Sequence, residues 1–158
     1  MEFEDLMAAF GRDVGIAGLG PERDGVCSIE VDGMRVSFLS MPGTGQLVTW
    51  ADVCAAPPEG REQLYQTLME AMFMGRATNG AMFAVPAGGE TICLQRFDAL
   101  ATLELDGFKA MLEAFVNDLE HWQKFVAEFR DVANAIDADK EQEAAVLREV
   151  GLGDGIRV

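Results

Sequence analysis

The chain has 158 residues, 49% of them hydrophobic, and carries 27 Asp and Glu against 12 Lys and Arg, a formal charge of -15. That length fits one domain with a real core plus a tail, and the hydrophobic content excludes a wholly disordered chain. The acidity repels phosphate backbones and anionic lipid surfaces, so nucleic acid and membrane insertion are excluded and basic or amphipathic polypeptides are the expected partners.

The first helix is expected from Glu2 to about Val14, with Phe3, Leu6, Met7 and Phe10 on its apolar face and Glu2, Glu4 and Asp5 at the positive end of its dipole. Gly15, Gly18, Gly20 and Pro21 stop it in a loop where Ile16 and Leu19 are expected to tuck inward. A strand follows from Val26 to Val31, then Asp32-Gly33, a pair suited to the positive φ angles of a type I′ hairpin turn. Met34 to Met41 returns as the second strand, alternating Val36 and Phe38 against Ser37 and Leu39. After Pro42-Gly43-Thr44-Gly45 the third strand, Gln46 to Cys54, puts Val48 and Trp50 on one face and Leu47, Thr49 and Val53 on the other.

The stretch from Pro57 to Asn79 holds a helix with Leu64, Leu68, Ala71, Met72 and Gly75 at helical spacing. Tyr65, Met69, Phe73 and Met74 widen its stripe beyond what a small sheet needs to cover, which predicts sharing with another subunit. Ala81 to Val85 and Thr91 to Phe97 form a second hairpin. A last helix is expected from an N-cap at Asp106, stepping through Phe108, Met111, Phe115, Leu119, Trp122, Val126 and Phe129. From Asp131 the sequence turns Ala-rich and acidic. The expected organisation is therefore a domain over 1–130 and an acidic tail over 131–158, a weak helix or disordered. The order α-β-β-β-α-β-β-α defines an α+β fold, a twisted antiparallel sheet with helices packed on it.

No catalytic constellation emerges. The single histidine, His121, has no paired carboxylate or nucleophile at a working spacing. Asp137-x-Asp139-x-Glu141 fails as a calcium loop, because Gln142 and Arg148 stand where Gly and a bidentate Glu are needed. The glycines around Gly18 and around Gly43 lack the context of a nucleotide loop. Cys27, Cys54 and Cys93 form no metal-binding spacing and read as reduced, buried thiols in strands. Neither metal nor cofactor is expected. The acidic start at Met1 is unlike a signal peptide, and a cytoplasmic protein is expected.

These elements together resemble the class I type III secretion chaperones of bacteria, the Tir-chaperone-like family. The residues that carry the likeness are the opening helix with Phe3, Leu6 and Phe10, the Cys27-Ser28-Ile29-Glu30-Val31 and Val36-Ser37-Phe38 hairpin, and Leu64-x-x-x-Leu68-Met69-Glu70-Ala71-Met72. The Gly80 to Val85 strand, Ile92-Cys93-Leu94-Gln95 and the long helix bearing Trp122 complete it. Met72 departs from the Asn common there in the family.

The resemblance implies a cytoplasmic homodimer that holds the amino-terminal segment of a secreted effector soluble and export-competent, without enzymatic activity. It implies effector contacts at Phe3, Leu6, Met7, Phe10, Val36, Phe38, Val48 and Trp50, and a dimer interface at Leu64, Leu68, Met69, Met72, Phe73 and Phe83. The secretion-system ATPase is a further implied partner. Two alternatives stand beside it: a same-fold regulator or assembly partner of a non-secreted protein, and a small-molecule enzyme using Arg35, Arg96 or His121 in the concavity of the sheet.

Overall fold

Phe3–Val14 forms α1, and its buried face is Phe3, Leu6, Met7, Phe10 and Gly11, a spacing of three and four that only a helix brings to one side. The computed structural model describes residues 2–149 of the chain. Gly15, at φ 77°, ends α1 in the left-handed conformation that glycine adopts without strain. Gly11 is required for another reason: a Cβ there would sit 2.7 Å from the Ile16 carbonyl oxygen and 2.7 Å from Leu19 Cβ. The loop after α1 thus folds back tightly against the helix. It does not bury both of the residues expected to tuck inward. Leu19 is half-buried, whereas Ile16 is 41% exposed, its amide donating to the Gly11 carbonyl and its side chain left outside.

The sheet has the order β1-β2-β3-β5-β4, with every pair antiparallel. Its strands are β1 (Val26–Val31), β2 (Met34–Met41), β3 (Gln46–Ala55), β4 (Met82–Ala84) and β5 (Thr91–Ala99). Asp32 and Gly33 both take positive φ, 51° and 79°, and close the first hairpin with Val31 opposite Met34. Between β3 and β4 lies α2 (Arg61–Met72), followed by a short 3-10 turn at Phe73–Gly75. Met74 and Gly75 both have positive φ there, which ends the helix. The fold is the expected α+β arrangement.

The last helix, α3, runs Leu105–Glu149. It begins one residue before the expected cap, so Asp106 lies inside its first turn, where a carboxylate still meets the positive end of the dipole. It also continues past the point where a weak helix or disorder was expected. Ala, the strongest helix former, is the commonest residue there, and no Gly or Pro interrupts the sequence between Gly107 and Gly151. The expected end of the tail, 150–158, lies outside the described residues. The chain divides into two compact units, Met1–Gln123 and Lys124–Val158. In the second, the rings of Phe125 and Phe129 approach to 6.4 Å.

The core of the first unit is built on one face of the sheet. Register places Val36 and Phe38 beside Ala51 and Thr49, and these beside Leu94 and Arg96, all on one side. Phe108 of α3 meets Phe38 at 5.4 Å and Phe10 of α1 at 5.1 Å, the latter edge to face. Both helices therefore cover the face that carries Phe38. The three cysteines lie in strands and form no disulfide; Cys27 and Cys93 are buried as expected, whereas Cys54 is half-buried.

Cys93 lies on the opposite face and donates to an Asp52 carboxylate oxygen at 3.2 Å across the β3–β5 ladder. Burial, together with that carboxylate, pushes the Cys93 thiol up to about 12 from its ordinary 9.0. Burial and then Glu22 raise Cys27 as well.

Two outcomes follow. Truncating Phe108 to Ala removes the ring shared by three elements and should cost about 3–5 kcal/mol in urea unfolding, while Lys109→Ala at the half-buried neighbouring position, which loses only a solvent-accessible ion pair to Asp13, should cost much less. The second concerns alkali. A folded-state thiol pKa above the unfolded value means that the unfolded chain holds fewer protons once its thiols ionise. Stability should therefore fall as pH rises from about 9 towards about 12. Urea midpoints measured on both sides of pH 9 should show that loss, and Cys93→Ala should reduce it.

Candidate functional site

α2 contributes little to the core of its own chain. Of its twelve residues only Leu64 and Leu68 are buried. One turn away the surface is apolar and open: Met69 is 67% exposed, Phe73 75% and Met74 72%. Half-buried Tyr65 joins Met69 and Phe73 in lining a wide groove of about 990 Å³, bordered by Arg61, Glu62, Gln66 and Glu70. Isolated exposed apolar side chains are ordinary, but large ones gathered along one helix mark a contact surface. Behind this face, the Phe83 amide donates to the Met72 sulfur at 2.9 Å, and the Phe83 ring meets Trp122 edge-on at 5.0 Å. Met72 and Phe83 are thus partly committed to contacts within the chain.

A second open surface lies along β1, an edge strand that pairs only with β2. In the register set by the Asp32-Gly33 turn, Val31, Ile29 and Cys27 bond towards β2, so Val26, Ser28 and Glu30 turn their backbone groups outward. The Glu22 amide occupies the Val26 carbonyl at 2.8 Å, and Ser28 and Glu30 come next along the edge. Beside them a groove of about 490 Å³ runs between the end of α1, the β1 edge and α3. Its floor is Phe10, Ile29 and Leu112, its walls Val14, Ile16, Val31 and Val116, and its rim Glu30, Asp32 and Glu113. Lys109, the cation lining it, stands 2.6 Å from the Asp13 carboxylate, which holds the ammonium above its ordinary pKa by hydrogen bonding and charge.

The residues expected to meet an effector fall into two separated groups. Phe3, Leu6, Met7, Phe10, Val36 and Phe38 lie in the helix-covered core, none more than 7% exposed. Val48 and Trp50 face the other way, because Leu39 pairs with Val48 and Ser37 with Trp50. Val48 is buried even so, and Trp50 is half-buried. Of the residues expected at a dimer interface, Leu64 and Leu68 are internal, Met72 and Phe83 half-buried, and Met69 and Phe73 open. Sequence reasoning missed Val14, Ile16, Leu112 and Val116 as groove residues. The signal for the first two was present as apolar residues on both sides of a helix-ending glycine.

The residues offered for small-molecule chemistry do not converge. Arg35 lies on the face away from α3, with a Ser28 hydroxyl at 3.5 Å, and Arg96 lies on the opposite face. Arg96 donates two bonds, at 2.8 and 2.6 Å, to the Asp98 carboxylate. His121 is exposed, edge-on to Trp122 at 5.2 Å. Among the described residues no cluster of His, Cys, Asp and Glu could hold a metal ion, and no helix is long and apolar enough to cross a membrane.

A sequence model of the Tir chaperone protein (CesT) family matches residues 5–123. No curated protein matches the chain. Among solved structures, a chain of the ExsC–ExsE complex aligns with TM-score 0.66 and 23% identity, over 77% of this chain and 90% of that one. A chain of the HopA1–SchA chaperone–effector complex aligns with TM-score 0.64 and 10% identity, over 77% and 93%. The complex of the Yersinia pestis type III secretion chaperone SycH with a fragment of YscM2 gives TM-score 0.58 and 15% identity, over 77% and 99%. At these identities the likeness is one of fold.

Proposed function

The chain belongs to the Tir chaperone protein (CesT) family, and from that premise we propose that it is a type III secretion chaperone. It binds the amino-terminal segment of a secreted effector and keeps that segment soluble and fit for export. It acts by binding, without catalysis, in the bacterial cytoplasm. The working domain is 1–130, with 131–158 an acidic tail, and the secretion-system ATPase is a further partner.

The observation that carries the reading is the pair of apolar surfaces that the protomer leaves open in its first unit. The α2 face goes to a second copy. A two-fold contact reuses one self-complementary patch, and α2 with the turn that ends it, bearing Met69, Phe73 and Met74, offers such a patch to its own image. Leu64 and Leu68 hold α2 in place from beneath, and Met72 and Phe83 brace its end.

The β1 edge and its groove go to the client. An extended segment that adds a strand at Ser28 and Glu30 directs alternate side chains inward over Ile29 and Val31. The buried set around Phe3, Leu6, Met7, Val36 and Phe38 then acts as the support of that surface, with Phe10 at its floor. Ordering a disordered segment costs about 2–5 kcal/mol or more, so the contact must be long and apolar to hold it.

Light scattering on the purified protein should give the mass of a dimer. Met69→Glu with Phe73→Glu should give a monomer with an unchanged circular dichroism spectrum, since both side chains are open in the protomer. A monomeric parent protein that also fails to retain the amino-terminal segment of any neighbouring effector candidate would contradict the proposal.

A further inference from the structure

Asn79-Gly80 forms the tip of the connection between α2 and β4, and we infer that it is a site of deamidation held in check by a clasp to α3. Asn79 is exposed and is the one Asn of the chain followed by glycine; Asn117 and Asn134 precede Asp118 and Ala135 within α3. Asn79 and Gly80 take φ 47° and 83°, and the Ala81 amide donates to the Thr78 carbonyl at 2.8 Å. Positive φ at both central residues is what a type I′ turn needs. Thr78 and Ala81 on either side are buried, so the turn is anchored and its tip alone meets water. The turn accounts for the backbone of the pair but not for the Asn79 side chain. Its Nδ2 donates to both carboxylate oxygens of Asp118, at 2.8 and 3.0 Å, and so ties the turn to a helix 39 residues further along the chain.

The chemistry belongs to the pair. Space around the Gly80 Cα is open, so no side chain screens the nitrogen beside it. A bond forms between the Gly80 nitrogen and Asn79 Cγ, the Cγ–Nδ2 bond breaks, and Nδ2 leaves as ammonia with the proton of the Gly80 amide. Water then opens the cyclic imide at one of its two C–N bonds. Breaking the new bond gives aspartate at position 79, breaking the original backbone bond gives isoaspartate, and no electrons are gained or lost. The folded turn resists the first step. The Gly80 amide is engaged with the Gly75 carbonyl at 3.3 Å, and the Nδ2 that must leave is held by Asp118. Once product has formed, the clasp cannot close again, because a carboxylate has no proton to donate and stands beside a second one of the same sign. The change is one-way, and it loosens the connection that also carries the exposed Phe73 and Met74.

The test incubates the full-length protein at mildly alkaline pH, which favours loss of the Gly80 amide proton, followed by digestion at acid pH and mass spectrometry. Aspartate and isoaspartate should appear at position 79 and not at Asn117 or Asn134. Asp118→Ala should convert roughly tenfold faster, the effect of losing a hydrogen bond to a charged group. Asp118→Asn keeps an acceptor and should fall between the two. Asn79→Asp, the unbranched product, should speed hydrogen–deuterium exchange at the amides from Gly75 to Ala81 and leave those of β1 and β2 unchanged. No conversion at position 79 over a time that converts a synthetic peptide of residues 74–84, equal rates in the parent and Asp118→Ala, or unchanged exchange in Asn79→Asp would overturn the inference. Faster exchange throughout the Asp118→Ala protein would do the same, by making global unfolding the gate.

Discussion

Phe108 touches Phe10 at 5.1 Å and Phe38 at 5.4 Å, and this three-ring contact fixes the layering of the first unit. It ties the opening helix, the second strand and the long helix to one face of the sheet. Ring pairs of this kind add about 0.5–1.5 kcal/mol each beyond the area they bury. With α1 and α3 on that face, α2 has only Leu64 and Leu68 to offer the core. Met69, and Phe73 and Met74 in the turn that follows, stay open within that unit.

The two open surfaces differ in kind, and the difference suits two roles. The α2 face carries flexible Met69, with Phe73 and Met74 in the turn that follows, side chains that repack readily against an apolar partner. The β1 groove is a trough with a strand edge at its lip, a form that receives an extended chain. An apolar burial of about 1,000 Å² corresponds to a gross term near 25 kcal/mol at ~25 cal/mol/Å², most of it offset by the ordering of the partner. The acidity of the chain then keeps a surface with so much exposed hydrocarbon in solution.

Most of the framework was legible in the sequence, because each device that sets it is local. Asp32-Gly33 pins the first hairpin, and β1 and β2 have the expected bounds. The helical period from Phe108 to Phe129 marks α3 without ambiguity. What sequence could not supply is which residues share a face across a longer turn. Pro42-Gly43-Thr44-Gly45 leaves the parity of the β2–β3 pairing open, and a one-residue slip moves every side chain to the other face. Val36 and Phe38 were therefore grouped with Val48 and Trp50, from which the sheet separates them. The apolar face of α1 was equally ambiguous, since a helix pattern is the same whether it meets a core or a client. Folding Phe3, Leu6, Met7 and Phe10 inward resolves it, and leaves the open walls of the groove to Val14 at the helix end and Ile16 just past it.

Hydrogen–deuterium exchange on the protein alone and with the amino-terminal segment of an effector candidate tests the central claim, that one open surface meets a copy and the other a client. The amides of α2 should already be protected in the protein alone. Those of Ser28 and Glu30 should slow only when the segment is added. Rapid exchange throughout α2 in the protein alone, together with a β1 edge unmoved by a bound segment, would contradict the account.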